Sequence, residues 1–97
     1  MYPYKGVDQS CKYDANSTTS VKVTSYTDVT ADNADQMKAA VARQPTSVSI
    51  EADKFVFQMY SSGIFDSSKC GTTLDHATLV VGYGNDAYSE HWIMKNS

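Results

Sequence analysis

Two apolar stretches near the end of the chain predict a pair of antiparallel strands. Residues 74–81 and 91–94 are rich in β-branched and apolar side chains, and they flank the glycine-containing segment 82–86. Short runs of this kind, separated by Gly and Asn, are typical of two strands joined by a loop. Pairing the two strands in this way brings His76 close to Asn96.

The pattern upstream of these strands predicts a helix. Met37, Ala40 and Val41 recur at three- and four-residue spacing, which places them on one helix face. Asp32 or Asn33 is a suitable N-terminal cap for this helix. The proline at position 45 ends it after residue 44, because proline cannot continue a helix.

Two further strands and a helical turn complete the predicted elements. Residues 21–29 and 46–51 alternate β-branched with polar side chains, as half-buried strands do. Asp53 is placed to cap a short helical turn that buries Phe55 and Met59, and Gly63 is expected to end that turn. The expected fold class is therefore α+β, with an antiparallel β-sheet or partial barrel and one or two short helices.

Composition indicates a small globular domain. The 97 residues are 41% hydrophobic, and a chain of this length buries only about 60–65% of its unfolded surface, so its core is expected to be thin. A net charge of −3 gives no reason to expect nucleic acid or an anionic membrane as a partner. No apolar run approaches the length of a membrane span, and no signal peptide opens the chain. We expect any targeting sequence to lie in a longer precursor, and we expect no cofactor.

His76 and Asn96 form the candidate catalytic pair. An imidazole held by an amide is the base half of a nucleophilic site, provided that a thiol or hydroxyl lies near its other nitrogen. The alternative is structural, with His76 a strand residue bonded to a backbone carbonyl and Asn96 a surface turn residue. Asp75 adjoins His76, but strand neighbours point to opposite faces, so Asp75 has at most a secondary electrostatic or hydrogen-bonding role.

Seven ordered blocks of the sequence resemble the papain-like cysteine proteases, which include plant enzymes and the lysosomal cathepsins. The blocks are YPY followed by CKY (2–4 and 11–13), QPTSVSIEA (44–52), FQMYSSGIF (57–65), CG (70–71), LDHA (74–77), VGYG (81–84) and WIMKNS (92–97). Their shared order is far more specific than any single block. The resemblance implies the right-hand, β-rich domain of that fold.

The resemblance also implies that residues 1–97 are a single partial domain from the later part of a peptidase. The family's nucleophile segment, QGSCGSCW, is absent from the chain. We expect the parent protein to be a cysteine endopeptidase in which His76 and Asn96 match the catalytic positions, and we expect this chain alone to be inactive. The implied partners are a peptide or protein substrate and the complementary left-hand domain. The implied location is lysosomal, vacuolar or secreted.

The residues alone leave Cys11 and Cys70 either paired in one disulfide or both free. The resemblance implies instead that each cysteine forms a disulfide with a partner outside this chain. Cys70 precedes His76 by six residues and is also a candidate nucleophile, although its CG context resembles the disulfide position. Two cysteines and two histidines are enough in number for zinc, but they lack any paired C-x-x-C or H-x-x-x-H spacing, so no metal is expected.

By the same resemblance, Ser49, Leu74 and Ala77 match positions that line the pocket for the substrate residue two before the cut bond. An aliphatic side chain with two small ones predicts a roomy apolar pocket for bulky hydrophobic or aromatic side chains. The alternative is that all three are ordinary sheet residues. Asn16 begins an Asn-Ser-Thr triplet, a glycosylation acceptor if the protein follows the secretory route.

Two other functions fit the same residues. One is a non-catalytic or silicatein-like relative with serine or another residue at the nucleophile position. The other is an isolated fragment that acts only as a folding or binding module. The identity of the upstream nucleophile residue distinguishes the first alternative, and activity of the purified chain distinguishes the second.

Overall fold

A three-stranded antiparallel sheet and two short helices are the regular elements of the described residues. The computed structural model describes residues 3–14, 16–17, 21–87 and 89–97. In chain order the elements are α1 (Ala34–Arg43), β1 (Thr46–Ile50), α2 (Phe55–Gln58), β2 (His76–Asn85) and β3 (Glu90–Lys95). The strands lie in the order β1-β2-β3, which confirms the α+β class.

Helix α1 begins and ends at the residues that its sequence indicates. The side chain of Asn33, not that of Asp32, caps the helix by accepting a 2.9 Å hydrogen bond from the Gln36 N–H. Gln44 is already extended, with φ −164°, as expected for a residue that precedes proline. The helix packs on β2, and the described residues that are buried as whole residues, Val41, Thr78 and Val80, belong to these two elements. The core is as thin as the length predicts.

Strand β1 pairs with the first half of β2 in a register that fixes two faces of the sheet. Ser49 lies opposite Ala77, and Ile50 lies opposite His76. Val48 and Ile50 are half-buried while Ser47 and Ser49 are exposed, so the predicted alternation of this strand is confirmed.

The loop between β2 and β3 lies later than predicted. The segment 82–86 was expected to be a loop, yet β2 continues to Asn85 and the connection is at residues 86–89. Gly82 follows a β-bulge next to Val80, and a Cβ on Gly84 would lie 2.6 Å from the ring nitrogen Nε2 of His91 on β3. Gly84 therefore permits close cross-strand approach, which a sequence cannot distinguish from turn formation. A Cβ on Gly82 would make only an ordinary contact with Ile93.

The predicted strand at residues 21–29 is wrong. These residues form no regular element, and the side chains of Val21, Val23 and Tyr26 are 80–88% exposed. The reason is physical, since an alternating segment becomes a strand only when another strand pairs with it. Within the described residues, the sheet contains β1, β2 and β3 only.

Helix α2 also differs from its prediction. Lys54 occupies the cap position and makes no side-chain cap bond, so Asp53 is not the cap. Phe55 and Met59 are 72% and 65% exposed, whereas Phe57 is half-buried and meets Phe65 edge to face at 5.6 Å. A helix of one turn has little buried face, and its half-buried residues are Val56 and Phe57. Gly63 has the expected positive φ of 81°, although α2 ends earlier, at Gln58.

Candidate active site

The sheet brings His76 and Asn96 into direct contact. His76 is the first residue of β2, and Asn96 follows the last residue of β3. The ring nitrogen Nε2 of His76 lies 2.7 Å from Oδ1 of Asn96. The proximity expected from the two strands is therefore present in the structure.

The hydrogen bonds of Asn96 fix the direction of this contact. The backbone N–H of Ser97 donates to Oδ1 of Asn96 at 2.8 Å, and a backbone N–H can only donate. The atom shared by both bonds is therefore the amide oxygen, so Nε2 of His76 carries the proton and donates it. In the neutral ring the other nitrogen, Nδ1, is then left as an acceptor. No hydrogen bond among the described residues involves Nδ1.

Asp75 supports the backbone next to His76 and does not bond its ring. Oδ1 of Asp75 accepts a 2.7 Å hydrogen bond from the Ala52 N–H. The N–H of Asp75 donates to the Ile50 carbonyl at 3.0 Å, which extends the β1–β2 pairing by one residue. The carboxylate therefore has the secondary hydrogen-bonding role expected for it.

Glu51 is a buried carboxylate that the sequence analysis did not single out. Its side chain is only 3% exposed and lies 2.6 Å from Nζ of Lys54. Oε2 of Glu51 also accepts from the Thr73 N–H at 2.7 Å. The ion pair with Lys54, followed by the bond from Thr73, holds the pKa of Glu51 below its ordinary value of 4.5. No sequence pattern indicates this carboxylate, because its partners are a backbone group 22 residues away and a lysine three residues away.

An open depression of about 550 Å³ adjoins the His76–Asn96 pair. It is bordered by α2 and the segment before it on one side and by the ends of β2 and β3 on the other. Its lining residues are Ala52, Asp53, Phe57, Gln58, Tyr60, Asp75, His76, Asn96 and Ser97. Neither cysteine of the chain lines it.

The three residues predicted to form the substrate pocket lie on a different side of His76. Ser49 and Ala77 are cross-strand partners on β1 and β2, and both are exposed. Leu74 precedes β2 and is 63% exposed. Since neighbouring residues on a strand point to opposite faces, Ala77 and Ser49 lie on the sheet face opposite His76. None of the three lines the depression.

The remaining predicted positions are at the surface. Cys11 and Cys70 are exposed, free thiols, and their pairing with partners outside the chain stays a prediction. Asn16 is exposed, while Thr18 of its triplet lies outside the described residues. In the described part of the chain, no group of three or more His, Cys, Asp and Glu side chains is arranged to hold a metal. No described helix is both long and apolar enough to cross a membrane.

An antiparallel sheet that holds an imidazole by a side-chain amide is the class of structure that provides the base half of nucleophilic hydrolase sites. Comparison with known families specifies this class further. The family model described as "Papain family cysteine protease" matches residues 1–97. The chain belongs to the papain family of cysteine proteases.

Individual relatives agree with the family match and show how much of each is represented. Cysteine proteinase RD21A of Arabidopsis thaliana is 48% identical over 96 residues, which are 99% of this chain and 21% of the relative. The oryzain beta chain of Oryza sativa is 44% identical, with 99% of this chain and 20% of the relative covered. The chain thus spans about a fifth of the length of these relatives.

A solved structure shows the same fold. The bromelain protease of Ananas comosus, in complex with the E64 inhibitor, aligns with a TM-score of 0.64 and 41% identity. The alignment covers 71% of this chain and 32% of the bromelain chain. The sheet and helices described above therefore correspond to a part of a papain-type catalytic domain.

Proposed function

We propose that this chain supplies the base and the orienting amide of a Cys-His-Asn endopeptidase whose cysteine lies outside residues 1–97. The observation that carries the proposal is the 2.7 Å contact between Nε2 of His76 and Oδ1 of Asn96. The amide oxygen holds the ring in the tautomer that leaves Nδ1 free. A free acceptor nitrogen on an oriented ring is what a thiol nucleophile requires.

Each residue then has a defined step in peptide hydrolysis. Nδ1 of His76 takes the thiol proton, and the resulting thiolate is stabilised by the imidazolium beside it. The thiolate attacks the peptide carbonyl, and the imidazolium returns the proton to the leaving amine. Asn96 keeps accepting from Nε2 throughout, so the ring does not rotate away between the two transfers.

The substrate and surroundings follow from the same proposal. Ser49, Ala77 and Leu74 form one wall of an apolar pocket that favours a bulky hydrophobic or aromatic residue two before the cut bond. The partners are the peptide or protein substrate and the complementary left-hand domain, which brings the cysteine. The proposed location is vacuolar, lysosomal or secreted.

Substitution in the full-length peptidase tests the pair. With a fluorogenic peptide carrying a bulky second residue, His76→Ala should lower kcat/KM by about 10³-fold or more, since the base is lost. Asn96→Ala should lower kcat by about tenfold to a hundredfold, because only the orientation of the ring is lost. The matched control is His91→Tyr on β3, which should change kcat/KM little. Full activity of His76→Ala would falsify the proposal.

The purified chain of 97 residues provides the second test. It should not cleave the same peptide, with or without a thiol-blocking reagent. Cleavage that the reagent abolishes would make Cys70 the nucleophile and would overturn the proposed division of the site. A residue other than cysteine at the upstream nucleophile position would instead favour a silicatein-like or non-catalytic relative.

A further inference from the structure

Two carboxylates tie the segment before His76 to the segment after β1. Glu51 extends from the end of β1 and accepts from the Thr73 N–H at 2.7 Å. Asp75 extends in the opposite direction and accepts from the Ala52 N–H at 2.7 Å. Each segment thus provides one carboxylate and one backbone N–H. We call this arrangement the reciprocal clamp.

Glu51 is the buried member of the reciprocal clamp. Its side chain is 3% exposed, and Lys54 compensates its charge at 2.6 Å. The carboxylate also lies against the backbone of Gly71, where any Cβ would overlap it. A buried carboxylate that accepts from both an ammonium and a backbone N–H is held in one place, because any movement leaves a charge without a partner.

The clamp acts on a segment that has little other support. The described residues from Asp66 to Asp75 contain no helix or strand, and most of their side chains are exposed. Thr73 is three residues before His76, and β2 begins only at His76. The position of the first residue of β2 is therefore fixed by the sheet and by the bonds of Asp75 to Ile50 and Ala52. Two residues before Asp75, the bond between Glu51 and Thr73 fixes the backbone that leads into them.

We propose that Glu51 is a positioning residue for His76. By holding the Gly71 to Thr73 backbone, its carboxylate keeps the start of β2 where the imidazole meets Asn96 at 2.7 Å. Glu51 does not line the depression beside His76, so it acts through the backbone and not on the substrate. This inference rests on the proposed role of His76 as the base.

Substitutions in the full-length peptidase separate the hydrogen bond from the charge. Glu51→Ala removes both and should lower kcat by roughly tenfold or more, with a smaller change in KM, because misplacement of a reacting group is costly. Glu51→Gln keeps an acceptor for the Thr73 N–H and should retain kcat within about threefold, since only the pair with Lys54 is lost. The second readout is the pH dependence of thiol alkylation by iodoacetamide, which reports the imidazole beside the thiolate. Its histidine limb should shift in Glu51→Ala and not in Glu51→Gln.

Two further variants control for a general loss of stability. Glu90→Gln breaks the 2.8 Å ion pair with Lys38, which links β3 to α1 away from the clamp, and should leave kcat and the alkylation profile unchanged. Gly71→Ala pushes a methyl group against the Glu51 carboxylate and should reproduce the Glu51→Ala defect in milder form. If Glu51→Ala does not fold, Gly71→Ala and Glu51→Gln together carry the test.

The outcomes distinguish this inference from the proposed function. Loss of activity in His76→Ala with an unchanged kcat and alkylation profile in Glu51→Ala overturns the positioning role and leaves the catalytic role of His76 intact. Glu51→Gln as impaired as Glu51→Ala also overturns it, because the bond to Thr73 would then not be the cause. An unaffected His76→Ala overturns the proposed function itself.

Discussion

Strand β1 and residues 21–29 have similar sequence patterns and different structures. In β1, β-branched side chains alternate with polar ones and the inward ones are half-buried, and in its partner β2 Val80 is only 2% exposed. Residues 21–29 alternate in the same way, yet Val23 is 88% exposed. The difference is that β1 and β2 pair with each other. Alternation therefore specifies which face a strand would bury, and a pairing partner decides whether the strand forms.

The dimensions of the molecule reflect the same contrast. Its radius of gyration is 16.3 Å, against about 12.5 Å for a compact domain of this length. The excess arises because the described residues before α1 contain no helix or strand and are almost all exposed. The sheet, α2 and the segments that adjoin them carry the candidate site, so the compact region of the chain is also the one that bears its chemistry.

The largest expected difference between the two regions is in the loss of unfolding free energy when a valine is shortened to alanine. In the 97-residue chain, Val80→Ala should lower the free energy of unfolding by about 2–3 kcal/mol, since it removes two buried methyl groups and leaves a cavity. Val23→Ala removes the same atoms from an exposed site and should change the free energy of unfolding by less than about 0.5 kcal/mol. Urea denaturation followed by circular dichroism measures both. Equal losses would show that residues 21–29 are packed in solution.

Removing the N-terminal cap of α1 should have an intermediate effect on the free energy of unfolding. Asn33→Ala removes the acceptor for the Gln36 N–H and should cost about 1 kcal/mol of unfolding free energy. Asp32→Asn is the matched control, because Asn tolerates the positive φ of 54° at that position. Thermal unfolding of the two variants provides the comparison. An unfolding temperature of Asn33→Ala equal to that of the unchanged chain would mean that Asn33 is not the working cap.

The smallest expected effect is on the stability of the fold at low pH. Because the folded-state pKa of Glu51 is below its ordinary value of 4.5, the clamp stabilises the fold fully above that value and less as pH falls through the folded-state pKa. Lys54→Met removes the main cause of the lowered pKa, so the loss of stability in acid should be smaller and should be complete at a higher pH. Acid titration followed by tryptophan fluorescence of Trp92 reports it. Lys22→Met, in the exposed region, should leave the transition in place.

The sequence predicted the helix, the β1 strand and the proximity of His76 to Asn96, because each depends on local spacing or on the pairing of two nearby strands. It failed where one pattern has two physical meanings. Gly84 permits close approach between strands, whereas the sequence pattern reads equally well as a turn. The prediction that Phe55 and Met59 are buried failed because a helix of a single turn has too little surface to bury residues on both of its faces.

Glu51 could not be identified in advance for a different reason. A glutamate at the end of a strand is ordinarily solvated, and its burial here depends on a backbone N–H in a loop 22 residues away. The placement of that loop is a tertiary property. The pocket role of Ser49, Leu74 and Ala77 is likewise undetermined by this chain, because an exposed sheet surface is only one wall of a pocket.

The strand order β1-β2-β3 has a practical consequence for handling the chain in solution. β3 is an outer strand of the described sheet, and its Trp92, Ile93 and Met94 are 39–50% exposed. A partly apolar strand with unpaired backbone groups is a template for strands from other molecules. At high concentration the isolated chain should therefore self-associate through this edge, and the charged residues of β3 that oppose such stacking are Glu90 and Lys95 at its two ends.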